Sequence, residues 1–151
     1  MKLLNPPHWK PAKGYANGVM AQGQQIFVGG QIGWNENQIF ETQDFVGQCE
    51  QALINIVEVL AQANAKPEHL VRLTWYVVDK QVYLQQQQAL GEVYKKVIGR
   101  HFPAMTMVQV ADLIEDQALV EIEATAVIEY LENPTTISKR ATLLRRHEKM
   151  I

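Results

Sequence analysis

From Leu119 to about Tyr130 the sequence alternates cleanly. Val120, Ile122, Ala124, Ala126 and Ile128 share one face of an extended chain, and Glu121, Glu123, Thr125, Val127 and Glu129 share the other. A strand with one apolar face needs a cover for it, and two amphipathic segments offer one. Between Gln43 and Ala63, Phe45, Cys49, Ala52, Leu53, Ile56, Val57 and Leu60 recur at helical steps, while Gln48, Gln51, Asn55, Glu58 and Gln62 fill the other face. Thr42 or Asp44 caps the start, and Asn64 before Pro67 marks the stop. Helical spacing returns from Val82 to Ile98, with Gly99 as C-cap and glutamines 85–88 as one solvated surface within that helix.

The remaining segments read as strands. Gly18–Gly23 and Gln25–Ile32 are joined by a turn signal that predicts a hairpin, and Leu70–Val78 is rich in β-branched and aromatic residues. Pro103 starts an extended run over Met105–Ala111, with a turn around Glu115–Asp116 before the last strand. Residues 1–14 read as an irregular lead-in. The order is β-β-α-β-α-β-β, an α+β class with two helices on one face of a mixed sheet. The second face, assigned Val127, Met105 and Met107, is expected to be buried by partner subunits.

At 151 residues the chain fits one domain. Lys+Arg of 14 against Asp+Glu of 16 gives a net charge of −2, which excludes a broadly basic nucleic-acid binder and an acidic disordered chain. A single cysteine, Cys49, cannot form an internal disulfide. No apolar run approaches the roughly 20 residues of a membrane span, and Met1–Lys10 lacks a signal-peptide pattern, so the expectation is a soluble cytoplasmic protein with no membrane partner.

Few residues suggest chemistry on their own. His8, His69, His101 and His147 are scattered without ligand spacing, so no metal site is expected. Cys49 lies on an apolar helix face, and the one serine, Ser138, sits in the tail. Gly29-Gly30 falls inside a strand, where glycine marks a bulge or the close approach of another group. Glu121 and Glu123 project the same way, roughly 6–7 Å apart, a spacing that suits acid/base work on water or plain solvated carboxylates.

Taken together, several segments are more specific. Gly14-Tyr15, Val28-Gly-Gly-Gln-Ile32, Gln48–Asn55, Val78-Asp79, Tyr94-Lys-Lys, Pro103-Ala104 and Val120-Glu-Ile-Glu-Ala124 resemble, in order and spacing, the RidA/YjgF/YER057c family over about residues 14–130. The resemblance implies a chorismate-mutase-like fold, a homotrimer and a small-molecule site in clefts between subunits. It also implies hydrolysis of reactive enamines and imines without metal or organic cofactor. Its domain is residues 1–131, followed by a basic C-terminal extension over 132–151.

By the same resemblance Glu121 corresponds to the carboxylate that positions the attacking water. Tyr15 corresponds to the family's N-terminal aromatic, and Gly30, preceded by Gly29, to a ligand-holding amide. Two positions depart. Gly91 stands where the family has an asparagine, and Met105 stands where imine deaminases carry an arginine that forks onto the substrate carboxylate. A thioether cannot donate to a carboxylate, which argues against ordinary 2-imino-acid deamination. Met107, one residue further along the strand, is expected to share the wall with Met105. With Met105 replacing the cation and Glu121 adding negative charge, a neutral or cationic ligand is expected. The leading expectation is a Rid-type hydrolase; the alternative is a non-catalytic binding or regulatory trimer. An RNA-directed role is disfavoured by the charge.

Overall fold

The computed structural model describes residues 1–130; the basic extension expected at 132–151 lies outside the described residues. In chain order the elements are β1 (Lys2–Leu3), β2 (Val19–Met20), β3 (Gly23–Ile32), α1 (Phe45–Ala61), β4 (Leu70–Val77), α2 (Lys80–Gln85), α3 (Gln87–Val97), β5 (Ala104–Gln109) and β6 (Val120–Glu129). The central sheet runs β3-β6-β4-β5, antiparallel except for the parallel β4–β5 pair. Helices lie on one face of this mixed sheet, giving the expected α+β architecture.

The core is one contiguous cluster. From α1 come Phe45, Cys49, Ala52, Leu53, Ile56 and Leu60, which meet Val28, Leu73, Trp75, Val77, Val120, Ile122, Ala124 and Ala126 of the sheet. Leu90, Tyr94 and Ile98 extend it under α3. Asp44 is the residue that caps α1, its carboxylate accepting from Gly47 N at 2.8 Å. Asn64 adopts the left-handed conformation expected of it, with φ of 55°.

Four expectations are corrected. The hairpin does not form, because β2 pairs with β1, itself a strand inside the supposedly irregular lead-in, while β3 pairs with β6. Gly23 is no turn residue; it faces β6 so closely that a Cβ there would run into the Ile128 carbonyl. The second helix is broken at Gln86, whose φ of −115° and ψ of 20° leave the helical region. There Asp79 caps α2 at the end of β4 and Gln109 accepts from Lys80 N, so α2 is tied to the strands while α3 packs on α1.

Gln48 is not on a solvated face but fully buried. Its amide donates to the carbonyls of Gln117 (2.9 Å) and Thr42 (3.2 Å) and accepts from Leu119 N (2.8 Å). Finally, Met105 and Met107 are not on the open face of the sheet. Parallel pairing sets them beside Leu73 and Trp75, on the helix side, packed against the core. The open face instead exposes Phe27 (73%) and Val108 (42%), while Val127 is buried near the end of β6 where the Met1 ammonium pairs with Glu129.

Candidate functional site

Beside the edge strand β5, on the helix side, a cleft of about 410 Å³ opens, with α2 and α3 forming its other wall. Its construction begins in the lead-in. Gly14, at φ of +75°, turns the chain so that Ala16 N bonds the Pro103 carbonyl (3.0 Å) and Ala16 bridges Ala104, which hangs Tyr15 over the opening. Gly99, at φ of +90°, ends α3 and starts the turn into β5. Within that turn the Tyr94 hydroxyl donates to His101 O at 2.6 Å, and Phe102 stacks on Tyr94 with ring centroids 5.6 Å apart. Burial pushes the Tyr94 hydroxyl well above the ordinary tyrosine range, so it stays a neutral donor.

Tyr15, Gly91, Met105 and Met107, four of the residues singled out from sequence, therefore line one cavity. Sequence reasoning missed Trp75, Phe102 and Lys13. Trp75 is legible only as a core residue of a strand; that the cleft reaches it depends on the parallel β4–β5 pairing. Lys13 and Lys95 are the only charged side chains on the lining among the described residues. On a single chain the lining carries two cations, while Glu121, whose charge underlay the expectation of a neutral or cationic ligand, lies on the other face of the sheet.

Gly29, Gly30 and Glu121 form a second group on the opposite face of the sheet. The β3–β6 register slips between Val28 and Gln31, so Gly29-Gly30 is the bulge expected of glycines inside a strand. Glu121 lies so close to the bulge that a Cβ on Gly30 would run into its carboxylate. Tyr76, the register partner of Glu121, donates to Glu123 Oε1 at 2.8 Å. That hydrogen bond, with lesser contributions from desolvation and the charges of Glu123 and Glu121, raises the Tyr76 hydroxyl above its ordinary range.

Two α1 amides flank this second group. Asn55 donates to Ile32 O (3.1 Å) and Trp34 O (2.8 Å) at the exit of β3, while Gln48 holds the entry to β6. Glu121 stands two strands from Met105, about 10 Å across the sheet by the usual spacing, and on the other face. Within one chain it cannot reach a molecule in the cleft.

Cys49 is no nucleophile here. Burial, with the charge of Asp44 adding to it, pushes its thiol far above the usual range. Among the described residues no three His, Cys, Asp or Glu side chains converge on a metal position, and no helix is long and apolar enough to cross a membrane.

Comparison with known proteins gives a consistent set of likenesses. The sequence profile described as endoribonuclease L-PSP matches residues 6–128. The RutC family protein UK114 of Drosophila melanogaster is 33% identical over 131 residues, covering 83% of this chain and 88% of that protein. An Escherichia coli protein named 2-iminobutanoate/2-iminopropanoate deaminase is 32% identical over 116 residues, covering 75% and 86%. The crystal structure of YyfB from Yersinia pestis, described as a conserved Rid family protein of unknown function, matches with a TM-score of 0.75 at 30% identity, covering 84% of this chain and 98% of that one.

Proposed function

Because the chain belongs to the endoribonuclease L-PSP family of Rid-type proteins, we propose that it is a homotrimer that hydrolyses a small imine- or enamine-like metabolite between subunits. In this reading residues 1–131 are the Rid-type domain. The cleft of Tyr15, Gly91, Met105 and Met107 on one subunit faces Gly29, Gly30 and Glu121 of the next, and water held at Glu121 attacks the C=N carbon. The carboxylate takes a proton from that water as the C–O bond forms and passes it to the nitrogen, giving a carbinolamine. Transfer of the hydroxyl proton to the nitrogen then breaks the C–N bond, releasing ammonia and the carbonyl product and leaving the carboxylate as it began.

One observation carries this reading: the two halves lie on opposite faces of the sheet, so only a second copy can join them. The exposed Phe27 and Val108 on the open face support its being covered by such a copy. The deaminase name of the Escherichia coli relative supports the chemistry.

The test has two arms. Light scattering at low micromolar concentration should give three times 17.2 kDa, and a stable monomer overturns the composite site. Among a panel of enzymatically generated imines and enamines, one without a free carboxylate should decay faster with the protein, 2-imino acids should gain little, and Glu121→Gln should abolish the gain while leaving the trimer intact. Wild-type rates in the variant would reduce Glu121 to an interface carboxylate. Met105 and Gly91, which leave the cleft without the family's arginine and asparagine, favour a second reading: a binding trimer without turnover, for which ligand uptake persists and no decay is accelerated.

A further inference from the structure

Glu121 and Glu123 stand two residues apart on β6 and project from one face, roughly 6–7 Å apart along the strand. Carboxylates at that spacing repel, and if they close on each other they come to share a proton, so that neither is a free base. Here each is drawn to a different neighbour. Glu121 leans onto β3, into space that exists because Gly30 has no Cβ. Glu123 is held from the other side, where the Tyr76 hydroxyl of β4 donates to its Oε1 at 2.8 Å. The register partner of Tyr76 is Glu121, whereas that of Glu123 is Thr74, so the tyrosine starts opposite one carboxylate and reaches diagonally to the other. The hydrogen bond acts most strongly on that hydroxyl, and the charges of Glu123 and Glu121 are also felt there. Few other groups face this pair. Neither β3 nor β5 carries a titratable side chain, and Arg72 of β4 shares a shallow hollow with Glu123 without an ion pair joining them among the described residues. In the composite site the cleft of the next copy brings Lys13 and Lys95.

We propose that Tyr76 is a positioning residue for Glu121: by holding Glu123 toward β4 it keeps the two carboxylates apart and leaves Glu121, seated over Gly30, as the lone base of the site. Tyr76 acts through Glu123 and touches no reacting atom. Without its hydroxyl, Glu123 is free to close on Glu121, and a second negative charge at short range disfavours the ionised form of the first. The base is then lost at a higher pH. The inference rests on reading Glu121 as the group that holds the attacking water, but the separation of the two carboxylates is measurable without turnover.

The test is an NMR titration of full-length protein labelled at the side-chain carboxyl carbon of glutamate, with the two signals assigned by their loss in Glu121→Gln and Glu123→Gln. Tyr76→Phe keeps the ring and removes only the hydroxyl. Glu123→Gln keeps an acceptor for Tyr76 and removes the charge. In Tyr76→Phe the titration midpoint of Glu121 should rise by about one pH unit relative to wild type. Adding Glu123→Gln to that variant should return it to the wild-type value, and Glu123→Gln alone should leave it there or lower it. Any gain in imine or enamine decay, read below the midpoint, should fall about tenfold in Tyr76→Phe and recover in the double variant, because one pH unit is a decade in the ionised fraction. A Glu121 midpoint that Tyr76→Phe does not move, as when Arg72 takes up the released Glu123, overturns the proposal. A midpoint that rises and is not restored in the double variant also overturns it, since Tyr76 then acts on Glu121 without Glu123. If the wild type speeds the decay of no imine or enamine while the midpoints behave as expected, the hydrolase reading falls and the separation of the carboxylates by Tyr76 stands.

Discussion

Replacing Gln48 with methionine tests how the Glu121 side of the site is held in place. The side chain is fully buried and makes three hydrogen bonds, two donated to carbonyls and one accepted from Leu119 N. Methionine matches its length and volume, so cavity formation contributes little. The loss is then the hydrogen bonds themselves, each worth about 1 kcal/mol net, plus desolvation of any group left unpaired. Gln117 is exposed, so its carbonyl can turn to water; Leu119 N, at the half-buried entry to β6, has less access. Together these give about 2–4 kcal/mol, or a fall in melting temperature on the order of 6–12 °C for a chain of this size. Urea denaturation with wild type alongside measures it. A change below about 0.5 kcal/mol would refute the reasoning, because it would mean the buried amide is readily replaced by apolar contact.

Two further outcomes follow from single contacts. In Gly30→Ala the new Cβ takes the space of the Glu121 carboxylate, the movable end of a side chain, so the cost in stability should stay near about 1 kcal/mol while Glu121 swings away; a crystal structure of the variant with Glu121 unmoved sinks this. Folding raises the hydroxyls of Tyr94 and Tyr76, so their neutral forms stabilise the native state fully below the unfolded value of about 10, and that contribution is lost as pH rises toward the folded values. Denaturant midpoints should therefore fall above about pH 10, and less steeply in Tyr94→Phe; parallel curves for variant and wild type would contradict the assignment.

Much of the architecture was written in local pattern. The alternation of Val120–Ile128 placed one face of β6, helical periodicity located α1, and the adjacent glycines marked the β3 bulge that meets Glu121. These are properties of short windows, set by the two-residue period of a strand and the 3.6-residue period of a helix. Strand partners are not local, and there the reading failed. Gly23 looked like a turn because glycine at a turn and glycine under a crossing carbonyl are the same letter. Gln48 looked solvated because a polar side chain on a helix is buried only when backbone groups from elsewhere satisfy it, here those of Thr42, Gln117 and Leu119.

The site divided along the same line. Sequence resemblance named Tyr15, Gly29, Gly30, Gly91, Met105 and Glu121, and strand periodicity set Met107 beside Met105, but neither showed how one chain divides them between the two faces of its sheet. Parallel pairing of β4 with β5 decided that Met105 and Met107 line a cleft over Trp75, whereas antiparallel pairing put Glu121 on the other face. The charge of the cleft was decided by Lys13 and Lys95, which lie 82 positions apart in the chain. Sequence carries the identity of a charge; only the way distant segments fold together fixes what it faces.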